Sequence, residues 1–164
     1  MAYKAAIITA SDKGSRGDRQ DLAGAKVEEL LLKAGLEVVK KAVLPDERAL
    51  LAKTLAEICD EGAVALIVTT GGTGFSPRDW TPEATLDVCD RLVPGLAELM
   101  RLEGLKKTPR AMLSRGVAAI RGRTLIVNLP GSPKAVDESL SAILPILDHG
   151  LEVLSGQSGD CART

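Results

Sequence analysis

Residues 64–85 read VALIVTTGGTGFSPRDWTPEAT, and the fold turns on them. Residues 64–70 form a continuous aliphatic and β-branched run, the pattern of a strand covered on both faces. A glycine-rich loop follows immediately, Thr69-Thr70-Gly71-Gly72-Thr73-Gly74, and Thr81-Pro82-Glu83 then opens a helix. Thr81 is expected at the N-cap. Pro82 falls in the first turn, where its missing N–H is not needed, and Glu83 suits the positive helix end.

The same alternation extends in both directions. Residues 4–9 (KAAIIT) read as a buried strand, and residues 21–34 carry apolar side chains at 27, 30, 31 and 34, which is helical spacing closed by Gly35. Residues 37–44 form a second strand halted by Pro45, and residues 46–61 a helix with Asp46 expected at its N-cap. Downstream, residues 94–105 read as a helix. Residues 116–120 and 124–128 read as two strands joined by Arg121-Gly122-Arg123. Residues 133–154 read as a helix broken or bent at Pro145. Strands alternating with helices predict a parallel sheet with right-handed crossovers. The expected class is a single α/β domain over residues 1–154, three-layered, with a mostly parallel sheet and helices on both faces. The polar, small residues 155–164 read as a frayed, flexible tail.

The 164 residues correspond to about one domain. A formal net charge of −1 argues against a general nucleic-acid binder. A hydrophobic fraction of 45% with 26% charged residues excludes wholesale disorder. No stretch has the length of a membrane span or of a secretory signal, and the three widely spaced cysteines support neither a zinc knuckle nor a disulfide framework. A cytoplasmic location is the expectation. His149, the only histidine, and the cysteines are assigned to packing or surface. Phe75 and Trp80, two of only three aromatic residues, flank the glycine loop and either fill gaps in the core or face a ligand.

In such a fold ligands bind beyond the carboxyl ends of the strands. Ser11 and Asp12 follow the first strand, Pro45 and Asp46 the second, the glycine loop the third, and Pro130-Gly131-Ser132-Pro133-Lys134 the last. TTGGTG is neither a P-loop nor GxGxxG, yet adjacent glycines let backbone approach a ligand and their N–H groups can form an anion nest. The PGSPK loop meets a predicted helix N-terminus and adds a lysine. Two such loops on one edge favour phosphate binding over simple turns. Asp46 and Asp79, in loops after two strands that a right-handed crossover would place near each other, match the need of Mg²⁺ for one or two carboxylates completed by phosphate oxygens and water. A salt bridge from Asp79 to Arg78 is the plain alternative. Residues 101–123 hold seven basic side chains against Glu103 alone, either a solvated face or a field that steers an anionic substrate.

These residues together, TTGGTGFSPRDWTPEAT (69–85) with LPDE (44–47), MLSRG (112–116), NLPGSPK (128–134) and ASDKGSRGDRQDLAG (10–24), resemble the molybdopterin adenylyltransferases, the group of MogA-type enzymes and the corresponding domain of gephyrin. The resemblance covers residues 4–154. It implies transfer of AMP from Mg-ATP to the terminal phosphate of molybdopterin with release of pyrophosphate. Asp46 and Asp79 match the family's essential aspartates and metal-holding pair. Thr70, Gly71, Gly72, Thr73 and Gly74 match its nucleotide-binding segment. Ser11, Asp12, Ser114, Arg115, Pro130, Gly131, Ser132 and Lys134 match positions on the substrate side. The resemblance further implies a homotrimer, Mg²⁺ as the only cofactor, molybdopterin and ATP as ligands without nucleic acid or membrane, and a molybdate-insertion protein as partner. Trp80 departs from the smaller aliphatic residue of relatives. Phosphate is its own nucleophile in such a reaction, so no catalytic His or Cys is needed. Two other readings stay open: a MoaB-like binding protein without turnover, and a purely structural assembly domain.

Overall fold

Alternation of side chains along the strands decides how the chain layers. In the computed structural model, which describes residues 3–156, β1 (Lys4–Ala10) turns Ala5 and Ile7 to one face and Ala6, Ile8 and Ala10 to the other. β3 (Leu66–Thr70) and β6 (Thr124–Leu129) divide in the same way, with Leu66, Val68, Leu125 and Val127 on the first face and Ile67 and Ile126 on the second. Both faces are apolar, so both require a cover. α2 (Leu22–Lys33), α5 (Pro94–Leu105) and α6 (Pro133–Ser155) cover the first through Val27, Leu31, Met100, Leu140 and Ile143. α3 (Arg48–Glu61) and α4 (Thr81–Val88) cover the second through Leu51, Leu55, Ile58 and Ala84. Each fully buried Leu or Ile contributes about 1.5–3 kcal/mol.

With β2 (Glu37–Leu44), β4 (Arg91–Leu92) and β5 (Ala118–Arg121), the sheet has six strands in the order β2-β1-β3-β6-β5-β4. β2, β1, β3 and β6 run parallel, while β5 pairs antiparallel with both β6 and β4. The chain leaves β1 for β2 through α2 on one face and crosses to β3 through α3 on the other. Loops at the carboxyl ends of β1 and β3 therefore diverge, and a crevice opens between them.

Local expectations fail at three points, each for a physical reason. Asp46 is not an N-cap: α3 starts at Arg48 behind Glu47, and the Asp46 carboxylate instead accepts from the Asp12 N–H at 3.0 Å. Thr81 is the first residue of α4 rather than its cap, because its hydroxyl donates to the Gly71 carbonyl at 2.9 Å. α6 runs unbroken through the exposed Pro145, since buried Ile143 and Leu147 on either side hold it to the sheet. The sequence reading also omitted α1 (Asp12–Ser15), the two-residue β4 and a 3₁₀ turn at Pro109–Leu113. Of the expected tail, Ser155 ends α6 and Gly156 caps it at φ 74°, and residues 157–164 lie outside the described residues.

Candidate active site

The glycine loop is built by close approach. Gly71 has φ +90°, and a Cβ there would overlap the Ala10 carbonyl oxygen. A Cβ on Gly131 would lie 3.3 Å from the Gly71 Cα, so the two glycine-bearing loops stack directly. The Thr70 hydroxyl donates to the Pro130 carbonyl at 2.6 Å, and the Thr81 N–H to the Gly72 carbonyl at 3.1 Å. The result is a backbone ridge at the sheet's carboxyl edge.

A cleft opens on each side of that ridge. The first, about 510 Å³, is walled by Gly72, Thr73, Gly74, Pro130 and Ser114, with Ala97, Met100 and Gly104 of α5, Arg110 and Leu113 of the 3₁₀ turn and its cap Thr108. The second, about 540 Å³, is walled by Ser11, Asp46, Thr70 and Gly71, with Arg19, Gln20 and Asp21 from the segment before α2. Gly72, Asp79, Gly131 and Ser132 border both.

Asp21, Asp46 and Asp79 wall the second cleft, and Asp12, outside its wall, is bonded to Asp46. Asp12 and Asp46 bind one another reciprocally, each N–H donating to the other's carboxylate at 3.0 Å. Arg78 grips Asp12 with two hydrogen bonds of 2.8 and 3.0 Å, so the alternative pairing of Arg78 with Asp79 does not form. Asp79 instead accepts from the Ser76 N–H at 3.1 Å. Burial first, and then the charges of Asp12 and Asp79, push the Asp46 carboxyl above its ordinary range. The Arg78 hydrogen bonds hold Asp12 below its own.

Both expected metal-holding carboxylates abut the glycine loop: a Cβ on Gly72 would come 3.2 Å from Asp46 Oδ1, and one on Gly74 2.8 Å from Asp79 Oδ2. A half-buried carboxylate destabilised by its neighbours, with oxygen donors alone, is a donor set that suits Mg²⁺. Among the described residues no group of three or more His, Cys, Asp or Glu encloses a metal position, so such a site would be open and completed by ligand oxygens and water.

Three expected residues, Asp12, Arg115 and Lys134, wall neither cleft. Lys134 is exposed, and the Ser132 hydroxyl accepts from the Ala135 N–H as the cap of α6. The basic run is not a continuous solvated face. Arg101 donates to the Ser114 and Gly116 carbonyls, Arg121 grips Asp60, and Arg115 is turned to the glycine loop. Phe75 and Trp80 do not fill the core, being 72% and 38% exposed, and Arg48 lies over the Trp80 ring at 5.6 Å. His149 is exposed, and burial pushes the Cys59 thiol up to about 11. The sequence reading missed the apolar wall from α5 and the 3₁₀ turn, whose one local signal was Thr108-Pro109, a cap followed by a first-turn proline.

A family model described as "Probable molybdopterin binding domain" matches residues 6–149. The chain belongs to the molybdopterin-binding domain family. The molybdopterin adenylyltransferase of Helicobacter pylori strain J99 is 43% identical to this family member over 152 residues, which is 92% of this chain and 86% of that protein. Among solved structures, the molybdopterin biosynthesis enzyme MoaB of Thermus thermophilus has 54% identity and a TM-score of 0.89, covering 94% of this chain and 97% of that one. A MogA structure has 40% identity and a TM-score of 0.87, covering 92% and 99%. Among the described residues, no helix of this family member is long and apolar enough to cross a membrane.

Proposed function

We propose that the chain is a molybdopterin adenylyltransferase, moving AMP from ATP to the terminal phosphate of molybdopterin and releasing pyrophosphate. The observation that carries this reading is the pair of clefts meeting at Asp79 across a backbone ridge, as group transfer between two bound ligands requires. The 43% identity to enzymes of that name supports it.

Asp46 and Asp79 are the residues that would hold Mg²⁺, which supplies charge neutralisation at the reacting phosphates. Backbone along Thr70, Gly71 and Gly72, which wall the second cleft, receives the nucleotide phosphates, whereas Thr73 and Gly74, expected with them from the sequence, wall the first. Ser11 walls the cleft that holds Asp46, and Asp12, outside that wall, fixes the Asp46 backbone. Ser114, Pro130, Gly131 and Ser132, with Lys134 nearby, receive the pterin phosphate on the other side. The pterin phosphate oxygen attacks the α-phosphorus of ATP, the bond to the β-phosphate oxygen breaks, and pyrophosphate leaves with that electron pair. The attacking oxygen is already largely ionised near neutral pH, so this chain's residues position and screen charge rather than move protons. A cytoplasmic homotrimer that hands its product to a molybdate-insertion protein completes the reading.

Purified protein incubated with molybdopterin, Mg²⁺ and ATP labelled at the α-phosphate is expected to yield labelled pterin only when all three are present. The second reading is a MoaB-like protein that binds pterin without turnover, and the 54% identity is to a biosynthesis enzyme named MoaB. A pterin-induced rise in Tm with no label transfer would select it.

A further inference from the structure

We infer that Arg115 is a positioning residue, a clamp that fixes the loop from Gly74 to Asp79, rather than a ligand of the substrate's phosphate. This rests on the adenylyltransferase reading for its kinetic consequence and on geometry alone for the clamp itself. The Arg115 N–H donates to the Thr73 carbonyl at 2.9 Å, Nε to the Gly74 carbonyl at 2.7 Å, and Nη2 to the Asp79 carbonyl at 2.8 Å. Nη1 pairs with the Glu83 carboxylate in the first turn of α4, and Nη2 also reaches Glu83 Oε2 at 3.4 Å. One planar fork therefore holds both ends of the six-residue loop that presents Asp79, and ties them to the helix that follows.

Arg115 walls neither cleft, although its neighbours Ser114 and Gly116 both wall the first. Its edge is spent on carbonyls and a carboxylate, leaving little capacity for an anion. Among the described residues the Asp79 carboxylate accepts from the Ser76 N–H alone, within the same loop, and the Asp79 N–H donates to the Ser76 carbonyl. Arg78 also ties the loop to Asp12, but without Arg115 the Gly74 and Asp79 carbonyls at its two ends lose their side-chain hold and the Asp79 carboxylate moves with them. Lysine cannot substitute, because a point ammonium cannot meet the divergent Gly74, Asp79 and Glu83 acceptors together.

The test combines two readouts on wild type and Arg115→Lys: hydrogen exchange of the peptide spanning residues 73–80 against that of β1, and steady-state kinetics of AMP transfer. Loop exchange is expected to rise about tenfold or more with β1 unchanged. The kcat is expected to fall about 30-fold or more, with KM for each substrate within about threefold. Unchanged loop exchange, or a raised KM at wild-type kcat, would overturn the inference, the latter by making Arg115 a binding residue. If wild type transfers no AMP the adenylyltransferase reading fails, and loop exchange alone then decides the clamp. Should Arg115→Lys fail to fold, Glu83→Gln reads the same loop exchange, with a smaller rise expected and no rise counting against the clamp.

Discussion

Asp79 borders both clefts, while among the described residues its carboxylate is held only by the Ser76 N–H. An asparagine keeps that acceptor, so Asp79→Asn should leave Tm within about 2 °C and cut AMP transfer by about 100-fold or more, measured by melting and by label transfer. Asp46 differs, because burial and two neighbouring carboxylates disfavour its charge. Asp46→Asn should abolish transfer yet raise Tm at neutral pH by about 2 °C, a site held at the expense of stability. Glu83 supplies the pH dependence. Burial raises its pKa, but the Arg115 hydrogen bond and charge, with a hydrogen bond from its own backbone and the Arg48 charge, together outweigh burial and leave it below the ordinary range. A depressed carboxyl stabilises the fold above its unfolded pKa of about 4.3 and loses that contribution as pH falls through the folded value. The Tm gap between wild type and Glu83→Gln should accordingly be full at pH 7 and close on acidification below about pH 4. At this scale the sequence was legible where chemistry is local. The glycines and both aspartates lie at the crevice because strand ends put them there. The pairing of Arg78 with Asp12, 66 residues away, and the inward turn of Arg115 depend on packing that no spacing encodes.

At the scale of elements, apolar periodicity sufficed for the long helices and the buried strands, because a strand covered on both faces and an amphipathic helix each leave a continuous pattern. Three short elements, α1, β4 and the 3₁₀ turn, were invisible, being set by caps and neighbours rather than by their own period, whereas the equally short β3 and β5 showed as apolar runs. Pro145 shows propensity overruled. It removes one helical hydrogen bond on the exposed side of α6 while Ile143 and Leu147 stay buried. Pro145→Ala should therefore raise Tm by about 2–4 °C with transfer unchanged, and a fall in Tm would mean that the proline's geometry is needed.

For the whole molecule, the strand order β2-β1-β3-β6 puts four loops on one edge, and helices on opposite faces part those of β1 and β3. Two facing cavities of similar volume result, divided by glycines whose missing side chains let the loops touch. The parallel order could be read from alternating strands and helices. The apolar wall that α5 and the 3₁₀ turn add to the first cleft could not, since those residues look like ordinary core in sequence. The two clefts act together, and pyrophosphate release measures that coupling. With Mg-ATP, wild-type protein should release pyrophosphate in proportion to the molybdopterin added and none in its absence, and Asp79→Asn should release little under either condition. Pyrophosphate release independent of pterin, or equal release by Asp79→Asn, would contradict the account.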